Sequence, residues 1–263
     1  MVVHDNAAWS RDVTTLAVDV GGSGIKASVL DAAGELLVDR VRIDTPYPCP
    51  PELLVASIVE LVADLPSAHR ASVGFPGLVR DGRVIEVPSL SRLTYDGEPD
   101  RAMAGRWHGF DLGHEVAHVL GIPTLVVNDA DMQACAVVEG AGMEFVLTLG
   151  TGVGTALFYD GHLVPHLELS HGPFRDGQTF DIALGNLERK RIGKKSWQAR
   201  VREAISDFDE MIVFDRIYVG GGNAKHLDPD DAGPKGRLVS NTAGVIGGVR
   251  LWEVMSASGY HRA

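Results

Sequence analysis

The chain has 263 residues, 45% hydrophobic and 22% charged, which is ordinary globular usage and excludes a disordered polyelectrolyte. Asp plus Glu outnumber Lys plus Arg by 35 to 24, a net charge of -11, which argues against a general nucleic-acid binder and against docking on an anionic membrane. Cys49 and Cys135 are the only cysteines, too few for a disulfide framework or a zinc knuckle, so a reduced cytoplasm is the expected home.

No apolar run is long enough to span a membrane. Residues 1–13 carry charges and Trp9 without an apolar core, and read as a frayed leader, not a signal peptide. The run 15–20 (TLAVDV) ends at Gly21-Gly22 and predicts a buried strand and a turn. Strands are expected over 26–30 and, with period-two alternation, over 35–43, making an antiparallel meander. Pro50-Pro51-Glu52 opens a helix to about Leu65, with Leu54, Ile58, Leu61 and Leu65 on one face. Residues 71–75 form a strand, 81–110 are turn-rich, 111–120 a helix, 124–127 a strand and 130–139 a helix.

The opening pattern then recurs. VDVGGSGIKASVLDAAGELL (18–37) and LTLGTGVGTALFYDGHLV (147–164) both read strand, glycine turn, strand, turn, strand, which predicts an internal duplication. Beyond it, helices are expected over 181–195 and 197–208, a strand over 216–219, a loop over 226–238 and a last helix over 245–255.

Two glycine-rich hairpins, one per half, could hold a phosphoryl chain from both sides with backbone N–H groups. Neither is a Walker loop, and the first feeds a strand, unlike a dinucleotide-binding turn. Asp19, just before the first glycines, suits Mg²⁺ held through water beside phosphates, or simply caps the turn. Lys26 is either a point charge for phosphate or an exposed strand lysine. Asn128-Asp129 follow a buried strand at the start of a helix, so Asp129 is either a general base or an N-cap. Glu168 and His171, three apart, could bond neighbouring sugar hydroxyls. Arg189, Lys190, Arg191, Lys194, Lys195, Arg200 and Arg202 put seven cations into 14 residues, either a track for a polyanion or a solvated helix face.

Taken in order, LAVDVGGSGIKASVLD, VVNDADMQACAVVEGAG, LTLGTGVGTALFYDG and ELSHGP resemble the motifs of the ROK family of sugar kinases. ERKRIGKKSW through YVGGGNAKHL resembles its polyphosphate glucokinase branch, and the likeness spans roughly 14–255. The resemblance implies an α/β, actin/hexokinase-like (ribonuclease H-like) fold with duplicated domains around a cleft. One domain would span 14–120, completed by a helix over 241–257, and the other 121–240. It implies a cytoplasmic, homodimeric kinase using Mg²⁺ that moves a phosphoryl group from polyphosphate or ATP to the 6-hydroxyl of a hexose. Glucose is the default; mannose and glucosamine are the alternatives.

By the same likeness Asp129 takes the hydroxyl proton, and Asn128, Glu168 and His171 hold the sugar. Gly21, Gly22, Ser23, Gly24, Gly150, Thr151 and Gly152 form the phosphate turns, and Gly221, Gly222 and Asn223 lie beside the nucleotide. Two departures stand out. HGPFRDGQTF follows the sugar histidine without the zinc-binding cysteines of many relatives, so no structural zinc is expected. Ser89 stands where a sugar-contacting Asn is usual, with Asp96 as a substitute. The competing readings are a sugar-responsive transcription regulator, against which only about 14 residues precede the first strand, and a non-catalytic sugar-binding protein.

Overall fold

The computed structural model describes residues 12–239 and 243–257, so most of the expected leader lies outside the described residues. Strands β1 (Thr15–Val20), β2 (Ile25–Leu30) and β3 (Val41–Ile43) form the meander; helix α1 (Pro51–Val62) leads to β4 (Arg70–Phe75). A hairpin, β5 (Leu78–Arg80) and β6 (Arg83–Glu86), precedes α2 (Arg101–Trp107), α3 (Leu112–Leu120) and β7 (Thr124–Asn128). Then come α4 (Asp129–Ala134), β8 (Met143–Leu149), β9 (Val153–Tyr159), β10 (His162–Leu163) and a small hairpin, β11 (Pro173–Arg175) with β12 (Gln178–Thr179). The chain closes with α5 (Phe180–Leu184), α6 (Asn186–Ile192), α7 (Lys194–Ile212), β13 (Arg216–Gly220), β14 (Gly236–Leu238) and α8 (Ala243–Ala257).

The duplication is visible in the topology. One sheet has the order β3-β2-β1-β4-β7 and the other β10-β9-β8-β13-β14. In each, an antiparallel meander is extended by two parallel strands, since β1 pairs β4, and β8 pairs β13, in parallel. Separate cores lie under the two sheets, one around Leu54, Ile58, Phe75 and Trp107, the other around Phe145, Trp197 and Phe208. The final helix α8 packs on α4 and β1. It is tied to the first sheet where Ser72 Oγ donates to the Gly248 carbonyl at 2.6 Å and the Trp252 indole donates to Ser72 Oγ at 2.9 Å.

Several expected elements differ. The third strand begins only at Val41; before it, Leu36 makes a single bridge to Leu30 and is 47% exposed, so alternation there marks an edge without a ladder. The helix expected over 181–195 is broken at Gly185 and Gly193 into α5, α6 and the start of α7, because each glycine leaves helical backbone angles. The loop expected over 226–238 contains β14, whose three residues are too few to show a period. The helix expected to reach Glu139 stops at Ala134. Its continuation instead wraps the carboxylate of buried Glu144, which accepts from the backbone N–H groups of Glu139, Gly140 and Ala141 and from the Tyr218 hydroxyl. Burial and that carboxylate push the Tyr218 phenol up to about 12. Replacing Glu144 by Ala leaves four donors without their acceptor, one of them the buried Tyr218 hydroxyl, and is expected to cost on the order of 2 kcal/mol, read as a lower urea midpoint.

Candidate active site

Asp19, next to last in β1, lies opposite Gly74 of β4, and β4 is flanked on its other side by β7, whose last residue is Asn128. Asn128 is the N-cap of α4: its Oδ1 accepts from the Ala130 N–H at 2.8 Å, and its Nδ2 donates to the Gly77 carbonyl at 3.0 Å. Asp129 is thus the first helical residue, and its own Oδ1 shares the Ala130 N–H with Asn128, also at 2.8 Å. A Cβ at Gly74 would lie 3.3 Å from the Asp129 Cα and 2.7 Å from Met132 Cε, so the glycine is what lets α4 settle onto the strand ends. From the other half, a Cβ at Gly154 of β9 would come within 2.8 Å of the Ala130 Cβ. The first turn of α4 is thus wedged between the two sheets, and Asp129 with it.

Burial and then the nearby Asp19 carboxylate raise the Asp129 carboxyl to about 7, against the pull of the Ala130 N–H. Lys26 lies beside Asp19, Nζ to Oδ2 3.4 Å, both side chains partly exposed. A partly exposed carboxylate of this kind fits Mg²⁺ that keeps most of its water and takes its remaining oxygens from phosphate. Among the described residues no cluster of three or more His, Cys, Asp and Glu forms a cage of its own.

The first glycine turn is held by its carbonyls. Thr45 donates to Gly21 O at 2.6 Å, Tyr47 to Gly22 O at 2.8 Å and Arg42 to Ser23 O at 3.0 Å, while Gly24 O accepts from the Gly21 N–H. The Tyr47 hydroxyl also bonds the Ser89 carbonyl at 3.2 Å, so Ser89 does border this turn. Asp96 is exposed on the loop beyond it. Tyr47, which stacks edge-on against Tyr95, was not singled out by the sequence; one aromatic beside a proline carries no motif.

The second turn rests on two supports. Asn223 donates from its backbone to Leu149 O and from its side chain to Gly150 O, so Gly221, Gly222 and Asn223 back the turn. Asp181 accepts from the Val153 N–H at 2.7 Å, and the Asn186 N–H donates to Thr151 O.

Glu168 precedes a short 3₁₀ turn, Leu169–His171. Its carboxylate lies 3.9 Å from His171 Nε2 and 3.5 Å from His166 Nε2, and His166 in turn bonds Asp131 at 3.0 Å. The hydrogen bond from His166 holds the Glu168 carboxyl below its ordinary range. A cavity of about 400 Å³ behind this cluster is lined by Arg80, His114, Asn128, Asp131 and His166, but not by Asp19, Asp129 or Glu168.

The basic run is less free than its count suggests. Glu188 holds Arg191 and Arg200, Asp231 holds Arg202, and Arg189 bonds Asn186. Lys190 and Lys195 are exposed and have no ion-pair partner among the described residues, and Lys194 is 3.8 Å from Asp228. The structure adds Lys225 and His226: burial first, then Arg189, Lys225 and Lys194, lower the His226 imidazole, which places these cations together just past Asn223. Two basic residues 23 or more positions from the run gave no signal in the sequence.

The model of the ROK family matches residues 15–166, more than half of the chain. The chain belongs to the ROK family. Its similarity to polyphosphate glucokinases supports that branch: the polyphosphate glucokinase of Mycobacterium tuberculosis (strain CDC 1551 / Oshkosh) is 28% identical over 244 residues, covering 88% of each chain. The N-acetylmannosamine kinase of Escherichia coli (strain SE11) is 31% identical over 249 residues, covering 87% of this chain and 78% of that one. The solved polyphosphate/ATP-glucomannokinase of Arthrobacter sp. strain KM superposes with a TM-score of 0.73 at 27% identity, covering 93% of this chain and all of that one. The fold is the actin/hexokinase-like one shared by ROK sugar kinases. With these relatives, the chain is a sugar kinase of the ROK family, a phosphotransferase with a hydroxyl acceptor. Among the described residues no helix is long and apolar enough to cross a membrane.

Proposed function

We propose that this kinase phosphorylates the 6-hydroxyl of a hexose, glucose first, with polyphosphate as well as ATP as donor. The observation that carries the reading is the Asp129 carboxyl, raised to about 7 and lodged where α4 meets both sheets, between two glycine turns. A base of that strength takes a hydroxyl proton near neutral pH. The hydroxyl oxygen forms its bond to the terminal phosphorus as the bridging P–O bond breaks, and the shortened donor leaves with the electron pair. Glu168 and His171 grip the sugar near its anomeric end, and Asn128 and Ser89 border it. Gly21, Gly22, Ser23, Gly24 and Lys26 face the phosphates from one half, and Gly150, Thr151 and Gly152 from the other. Gly221, Gly222 and Asn223 support the donor side. Mg²⁺ on the donor would be held by Asp19 and supplies neutralisation of phosphate charge. The chain's own work is then positioning and proton removal, with closure of the two halves excluding water.

Polyphosphate is supported by Arg189, Lys190, Lys194, Lys195 and Lys225, on a protein whose overall charge is negative. The same reading takes the protein as cytoplasmic and homodimeric, the latter checked by sedimentation. The test is a panel of glucose, mannose and glucosamine assayed in parallel with ATP and with long polyphosphate. Changing Lys194 and Lys195 together to Ala is expected to raise KM for long polyphosphate about tenfold and for ATP less than twofold, because a long polyanion reaches cations that a triphosphate does not. Equal effects on both donors would remove the track. Sugar binding without product on any of the six combinations would leave a non-catalytic protein.

A further inference from the structure

Glu168 is a third exposed, and nothing on its own backbone fixes its carboxylate: the 3₁₀ turn after it uses no side-chain cap. His171 is 3.9 Å away and 59% exposed, too distant and too wet to orient it. His166 is different. Its side chain is 4% exposed and that of Asp131 3%. The imidazole stands between two carboxylates, Nδ1 3.0 Å from Asp131 and Nε2 3.5 Å from Glu168. Two flanking carboxylates call for two donors, and only the protonated imidazole offers them. Burial by itself would lower His166 and raise Asp131, and the hydrogen bonds to Asp131 and Glu168 lift the imidazole to about 9. The residue is also pinned by its backbone, since the Arg80 guanidinium from the first half donates to the His166 carbonyl at 2.5 Å. Asp131 lies two residues after Asp129 on α4, so the same short helix carries the base and the anchor of this chain of contacts.

We infer that His166 is a positioning residue for sugar binding: held by Asp131 on the helix that carries Asp129, it locks the Glu168 carboxylate in the orientation that receives the sugar hydroxyls. The inference rests on the kinase reading and deepens it. Base and sugar grip are thereby set relative to each other through the buried Asp131–His166 hydrogen bond and the His166–Glu168 ion pair. Asp131 and His166 do not touch the sugar; they act through Glu168.

The test uses the full chain and whichever of glucose, mannose and glucosamine the wild type phosphorylates best. His166→Ala is expected to raise the hexose KM about 10–100-fold, with KM for ATP and for polyphosphate within about twofold. Asp131→Asn leaves an acceptor for the Nδ1–H and raises the hexose KM by less than about fivefold. Asp131→Ala combined with His166→Ala is expected to do no more than His166→Ala alone, because the two act in series. If His166→Ala fails to fold by circular dichroism, His166→Asn, which keeps a donor toward Asp131 but cannot span to Glu168, is read by the same criteria. A hexose KM within twofold of wild type, a parallel rise in donor KM, or effects that multiply in the double variant overturn the inference. A wild type inactive on the whole panel overturns the kinase reading itself; an active wild type with an unmoved hexose KM overturns only the role of His166.

Discussion

Asp129→Asn is expected to lower turnover by about 10²–10⁴-fold while the fold stays intact, since the amide fills the same space but takes no proton. Wild-type kcat/KM should rise with pH through about 7, where burial and Asp19 place this carboxyl, and the variant should lose that limb of the profile. The sign of the stability effect follows from the same shift. Between about pH 4 and pH 7 the folded protein keeps a proton that the unfolded chain has released, so stability falls as pH rises through that window. The Asn variant has no such dependence. It should melt several degrees above wild type near pH 8 and alongside it near pH 3, as read by scanning calorimetry at the two values. Retained turnover would take Asp129 out of the base role; retained turnover together with a higher melting point would show the carboxyl to be buried for another purpose.

Gly221→Ala should be the most damaging change on the donor side. The residue has φ +85°, and a Cβ there would fall on the Leu149 carbonyl oxygen and within 2.6 Å of the Leu149 nitrogen. Both are backbone atoms of β8 at the foot of the second phosphate turn, so neither can swing away. The loop must lift, and with it the two hydrogen bonds from Asn223 to Leu149 and Gly150. A loss of about 1–3 kcal/mol in stability is expected, with a donor KM raised at least about tenfold and a hexose KM little changed. An unchanged donor KM in a destabilised protein would leave Gly221 as a packing glycine only.

Much of the site was legible because its motifs are local. A strand ending in Asp19 and a glycine turn, an Asn-Asp pair at a strand-to-helix junction, and a second glycine turn in the same setting are all written in consecutive residues, and so was the repeat that relates the two sheets. What failed was of another kind. The helix after Asp129 looked continuous to Glu139 because Val137 and Val138 continue its apolar pattern; it ends early because Glu144, in the following strand, captures three of the N–H groups beyond it. The seven cations of 189–202 looked like one track because acids that neutralise three of them, Glu188 and Asp231, are recognisable as partners only when side chains can be placed.

By itself the sequence determined the family and the duplicated fold and singled out Asp129 as the candidate base, since each depends on backbone period, turn chemistry and short spacings that any stretch of chain carries with it. Tertiary structure decided which polar groups meet. Asn128 capped α4, Gly74 and Gly154 let that helix enter between the sheets, and Asp131 found His166 35 residues away and through it Glu168. The Asp131–His166 pairing is long-range and buried, its strength comes from exclusion of water, and burial is a property of the folded chain that no local pattern records.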